Sequence, residues 1–262
     1  MKVLDTQQFV SERMKIRPVT NAELDHIQQN MKDMKYELTD ETTLYVGHTL
    51  HRIKALTDIP SMNVKKGDPG GFVESYGNLD QKGDCWVADN AYVYGKAKVY
   101  GNAKVYGNVE VYGNVEVYGD AQVHGNACVL DSAQVHDNAQ VYDYAQVYGY
   151  AEVYGNACVH DSAKVYRNAK VNEDADVYRN AEVYDNAYLH GNARVSGRAK
   201  VYGNSEVYGS AWVSGSSEVH GNAKIYGNAE LYGRAWVYDD AKVYGDAKVY
   251  GDTVDGNNEV NK

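Results

Sequence analysis

Ala97-Lys98-Val99-Tyr100-Gly101-Asn102 is followed at once by Ala103-Lys104-Val105-Tyr106-Gly107-Asn108, one six-letter word written twice. Variants of that word fill the chain from Cys85 to Asp252. Counted in steps of six from Val87 to Val249, all 28 positions are aliphatic, and only Leu189, Ile225 and Leu231 depart from Val. No hexad in that stretch is lengthened or shortened. The small residue (Ala91, Ala97) and the aliphatic one (Val93, Val99) lie two apart, so in an extended strand they share one face, while Lys98 and Tyr100 take the other. The Gly-Asn, Gly-Asp or Asp-Asn that follows tolerates the positive φ of a tight corner. Each hexad is therefore a short strand plus a corner, and identical corners repeated in one sense make the chain coil.

Three hexads per coil would stack residue i over residue i+18, with coils ~4.8 Å apart. The outward charges agree: at a separation of 18, eight pairs are opposite in sign and one is alike, including the run Lys164, Glu182, Lys200, Glu218. At a separation of six, five are opposite and six alike; at 12, eight against two. The charges thus exclude one hexad per coil and only mildly favour three over two.

The pattern resembles the hexapeptide-repeat superfamily, whose usual word has an aliphatic residue first and a small one four places on, as in Val93 with Ala97 and Val99 with Ala103. The match covers about two thirds of the chain, and it departs in placing Tyr100 and its equivalents where many members have Gly. The opening segment Gly83-Asp84-Cys85-Trp86-Val87 is similar to that of uncharacterised phage and enteric-bacterial hexapeptide proteins described as acyltransferases. The resemblance implies a mainly β protein, a single-stranded left-handed parallel β-helix of three hexads per coil. At that count the 28 hexads make about nine coils, roughly 45 Å long.

Composition fits a solenoid better than a globule. Two Phe stand beside 25 Tyr, so the core must be the thin stack of Val and Ala inside the coils. Net charge is −10, and 15 basic against 23 acidic residues after position 84 place −8 of it on the repeats. An acidic rod is a poor ligand for phosphate backbones, which are bound by Lys and Arg. Cys85 points inward, whereas Cys128 and Cys158 take outward slots on different faces. Three unmatched thiols, no apolar leader and no run long enough to span a bilayer predict a cytoplasmic protein without disulfides.

Ahead of the repeats, residues 1–71 read as a small α+β cap. Thr20 and Glu23 form a capping box opening a helix over about 20–35, with Leu24, Ile27, Met31 and Met34 as a narrow apolar stripe that docks on its own domain or self-associates. Residues 43–56 read as a hairpin turning at Gly47-His48, with His48 and His51 on opposite faces and unsuited to a metal pair. The cluster Lys65 to Gly71 is a turn and lacks the order of a phosphate loop. Val73 and Leu79 fit the small-residue slot, so the helix spans 72–252, and 253–262 is a polar tail.

Eighteen of the 28 slots after the aliphatic residue are Tyr and five are His. On three-hexad coils they sort into three outer ladders. One holds Tyr94, Tyr112, Tyr148, Tyr166, Tyr184, Tyr202 and Tyr238, interrupted by Leu130 and His220. Stacked rings stabilise a thin-cored solenoid, and an aromatic stripe of this extent is also a contact surface. The candidate surface is Tyr148, Tyr166, Tyr184 and Tyr202 with Lys164, Glu182 and Lys200.

His124, His136, His160, His190 and His220 occupy tyrosine slots and read as stacking rings, and no cofactor or metal site is expected. His124 and His160 should lie ~9.6 Å apart on one ladder, too far to share a zinc ion. Asp131, Asp137 and Asp143 fall one per corner of a coil and cannot chelate a common ion; Asp143 stacks on Asp161, a pair able to hold a divalent cation weakly, but the two read first as exposed turn acids.

Three functions remain. The first is a non-enzymatic, rod-like binding or assembly module using its tyrosine ladders for oligomerisation, a trimer by resemblance, or for a protein partner. The second is an acyltransferase using acyl-CoA, supported by fold analogy alone. The third is an acidic nucleic-acid mimic, disfavoured because Lys and Glu alternate along the faces.

Overall fold

A computed structural model describes residues 34–261, nearly all in one compact unit that begins at Tyr36. The expected helix over 20–35 falls almost wholly outside these residues. Two strands, β1 (Tyr36–Tyr45) and β2 (His48–Ala55), form an antiparallel hairpin around Val46 and Gly47, longer at its start than the 43–56 reading. β2 lies antiparallel to β3 (Pro69–Val73), and from β3 onward every strand pairing is parallel.

The repeats form a parallel β-solenoid with three faces, one of thirteen strands including the hairpin and two of ten. Residues 18 apart stack: Val93 on Val111 on Val129 along the first face, Lys98 on Glu116 along the second, Trp86 on Lys104 along the third. Three hexads per coil is therefore the geometry, which the charge pattern alone left open against two. β3 and the ten strands after it give the first face eleven levels, two more than the expected nine coils.

The extra levels come from residues the hexad count missed. Val73 and Leu79 do not take the small-residue slot: they pair with Val93 and Val99, twenty positions on. Two added residues between Leu79 and Cys85 shift the register while keeping both side chains inward, as a two-residue shift must in a strand of period two. Residues 253–261 are likewise no tail. Thr253–Val254 and Glu259–Asn261 pair with Trp236–Val237 and Lys242–Tyr244 at a spacing of 17, because one corner residue is missing after Gly251.

The core is one column of fully buried Val and Ala, with Cys85 among them. Where Ser205 and Ser217 replace Ala, each hydroxyl donates to a carbonyl three residues back, of Tyr202 and Ser214, both at 2.8 Å. Neither serine therefore leaves an unpaired hydroxyl in the column.

Corners explain the remaining word. Residues such as Asp131, Asp137 and Glu173 sit at φ of 64°, 58° and 55°. Their carboxylates accept the backbone N–H of the next coil's corner, at Gly149, Gly155 and Gly191. Beside them run amide ladders: Asn168 donates to Asn186, on to Asn204, Asn222 and finally Asp240. The chain of donors closes on a carboxylate, which only accepts.

Candidate functional site

Each aromatic slot projects a ring outward at the solenoid's own rise, so rings stack coil on coil. On the first face Tyr148, Tyr166, Tyr184 and Tyr202 follow one another at 4.8 Å, with planes within 8°. His220 does not interrupt this run: it stacks on Tyr202 at 4.7 Å and on Tyr238 at 5.3 Å, extending it to six rings. Leu130 does break it. The third face holds five consecutive rings from Tyr106 to Tyr178, with His124 and His160 as rungs and Tyr142 between them. The second face is split at Asn172, whose Oδ1 is buried without a partner and whose Nδ2 donates to the Tyr188 hydroxyl.

Lys164, Glu182, Lys200 and Glu218 form the neighbouring column, in register on successive strands. The structure thus brings all seven candidate residues onto one face. A second step links the columns. The Tyr166 hydroxyl donates to Glu182 at 3.2 Å and that of Tyr202 to Glu218 at 3.4 Å, each sixteen residues on. Burial first, then the Glu182 charge, pushes the Tyr166 hydroxyl well above its ordinary 10.0.

Sequence reasoning missed the most exposed aromatics of this face. Tyr144 and Tyr150, 65% and 69% exposed, occupy corners on either side of the Gln146 rung, and Trp236, 47% exposed, stands on the rung after Glu218. A tyrosine where the corner word asks for Asn, Asp or Ser was the available signal. Trp236 Nε1 donates to His220 Nε2 at 2.9 Å, which fixes the imidazole proton on Nδ1.

The remaining polar groups are engaged locally. His48 Nδ1 lies 2.9 Å from Glu74 and His51 Nδ1 lies 3.1 Å from the Thr39 carbonyl, so the two rings serve separate contacts. The His48 contact and the Gly95 N–H hold the Glu74 carboxyl below its ordinary range against the opposing cost of burial. Only Lys65 to Asp68 forms the expected turn, with the Lys65 N–H on Asp68 and that of Lys66 on Asp58, whereas Pro69 to Gly71 belong to β3.

Asp143, Asp161 and His160 place ligand-capable atoms within 4.8 Å of one another; the hexad spacing anticipates the two acids but not the histidine. Within it Asp161 already accepts the Arg179 N–H, and His160 Nε2 faces Asp176 at 3.1 Å. A pocket of 340 Å³ opens beside Met62, Trp86, Ala88, Lys104 and Tyr106, where Ala88 leaves a rung without a ring. Its one carboxylate, Asp89, accepts the Gly107 N–H, and Lys104 Nζ donates to the Ser61 carbonyl at 3.4 Å. Among the described residues no helix is long and apolar enough to cross a membrane.

No protein-family model matches the chain, and no curated protein matches its sequence.

Proposed function

We propose that this protein is a non-enzymatic, rod-like contact module, which binds macromolecules through the tyrosine face of its solenoid. The observation that carries the reading is the six-ring run from Tyr148 to Tyr238 with exposed Tyr144, Tyr150 and Trp236 at its ends. Aromatic residues dominate association energies, and stacking alone gives no reason for unstacked corner tyrosines to face water. The superfamily resemblance is the support for a bacterial or phage setting and for self-assembly.

The test compares Tyr166→Ser with Tyr184→Ser against the matched pair Tyr154→Ser with Tyr208→Ser on the second face. Solution mass and affinity capture from a host lysate are measured on folded variants. Selective loss for the first pair supports the reading. Equal behaviour of the two pairs, or turnover of an acyl-CoA by the purified chain, overturns it.

A further inference from the structure

Read from the other end, the column Lys164, Glu182, Lys200, Glu218 becomes Glu, Lys, Glu, Lys, so every position meets its opposite. Elsewhere on the solenoid such charges are spent within the chain. Lys170, Lys224, Lys242 and Lys248 each lie within 2.7 to 3.1 Å of a Glu on an adjoining rung. Along the first face the tyrosine hydroxyls take Glu182 and Glu218 instead. Among the described residues neither Lys164 nor Lys200 closes an ion pair, a state shared with Lys98, whose neighbour Glu116 is likewise taken by Tyr100. Flanking these four rungs, Tyr144 and Tyr150 stand at the Gln146 rung before them and Trp236 on the rung after.

We infer that the first face binds a second copy of this chain, antiparallel, about a two-fold axis lying in the interface between the Glu182 and Lys200 rungs. The inference rests on the reading of this face as a contact surface. Rotation about an axis perpendicular to the solenoid keeps each column over its own counterpart and reverses the order of rungs. Lys164 then meets the partner's Glu218, Glu182 meets the partner's Lys200, and Trp236 lands on the Gln146 rung between the partner's Tyr144 and the partner's Tyr148. Such an isologous contact is closed, so it stops at two. A two-fold parallel to the solenoid axis would set the charged column on the ring column and leave the alternation unused.

Six rungs make a strip roughly 29 Å long and about 15 Å wide. Two copies bury on the order of 900 Å², near the lower limit of specific interfaces. The dimer is therefore reversible and weakened by salt.

Sedimentation of the full chain tests this. The wild type should dimerise with concentration, and Lys164→Glu with Lys200→Glu, which makes all four rungs acidic, should weaken the dimer on the order of tenfold or more. Adding Glu182→Lys and Glu218→Lys inverts all four signs and should restore it. In a Cys128→Ser, Cys158→Ser background, Lys164→Cys with Glu218→Cys should give a disulfide-linked dimer on oxidation. These positions are three rungs apart within one chain but adjacent across the two-fold; Lys164→Cys alone should stay unlinked. A folded wild-type monomer at every concentration, a trimer, a sign-inverted variant that stays monomeric, or an unlinked double cysteine variant would each overturn the dimer. If the Tyr166→Ser, Tyr184→Ser pair still loses mass or capture selectively in those cases, the contact-surface reading stands without it.

Discussion

The hydroxyl of Tyr166 stands 3.2 Å from Oε2 of Glu182, sixteen residues further along the chain and one rung away. The same step joins Tyr100 to Glu116 at 3.1 Å and Tyr202 to Glu218 at 3.4 Å. It turns each carboxylate toward the ring column and away from the lysine stacked beside it. Glu182→Gln should therefore let Tyr166 ionise earlier, seen by phenolate absorbance as a downward shift of one late-titrating tyrosine, with burial still holding it above its ordinary value. The stability cost should be about 1 kcal/mol, since the bond is partly exposed. An unchanged titration curve would remove the contact.

Alkaline pH should weaken the solenoid. Burial pushes the Tyr100 and Tyr184 hydroxyls from 10.0 up to about 12, with Glu116 and Tyr202 respectively adding repulsion. Between pH 10 and 12 the unfolded chain sheds these protons while the folded chain keeps them, so stability falls as pH rises. Below about pH 9 both states are protonated and this contribution is intact. Urea midpoints at pH 8, 10 and 11 should decline mainly over the last step, and a flat series would contradict the raised values.

Val165 is fully buried in mid-solenoid, and Lys164 beside it is outward. Val165→Asp should cost several kcal/mol by placing an unpaired carboxylate in the valine column, whereas Lys164→Asp should cost under about 1 kcal/mol. Thermal unfolding separates them, and comparable midpoints would refute the strand register.

At Asp137 two effects oppose. Its φ of 58° strains a residue with a Cβ, while its carboxylate accepts the Gly155 N–H at 3.2 Å. Asp137→Ala keeps the strain and loses the bond; Asp137→Gly loses both. The alanine variant should be the less stable of the two by about 1 kcal/mol, measured by denaturant titration. The reverse order would mean the corner is not strained.

Much of this was legible because the word repeats without error between Val87 and Val249. Val and Ala two apart fix which side is buried, and the partnering of Lys164 with Glu182 already pointed to a separation of 18. The ends were not legible, for a mechanical reason. A count in sixes fails once two residues are added before Cys85 or one is dropped after Gly251, although Leu79, Val254 and Val260 still turn inward. His220 interrupts the tyrosines but not the rings: as its tyrosine slot led one to expect, its imidazole stacks on Tyr202 at 4.7 Å.

By itself the sequence determined the strand-and-corner unit, the inward column and the sorting of rings onto ladders, since these follow from periods of two and six along the chain. Only the tertiary structure decided which carboxylates go to tyrosine and which to lysine. Those choices depend on where a hydroxyl from one coil reaches on the next, a distance between residues sixteen apart that no local pattern encodes. It likewise decided that Tyr144, Tyr150 and Trp236 stand open on the first face, because exposure is set by what the neighbouring coils leave uncovered.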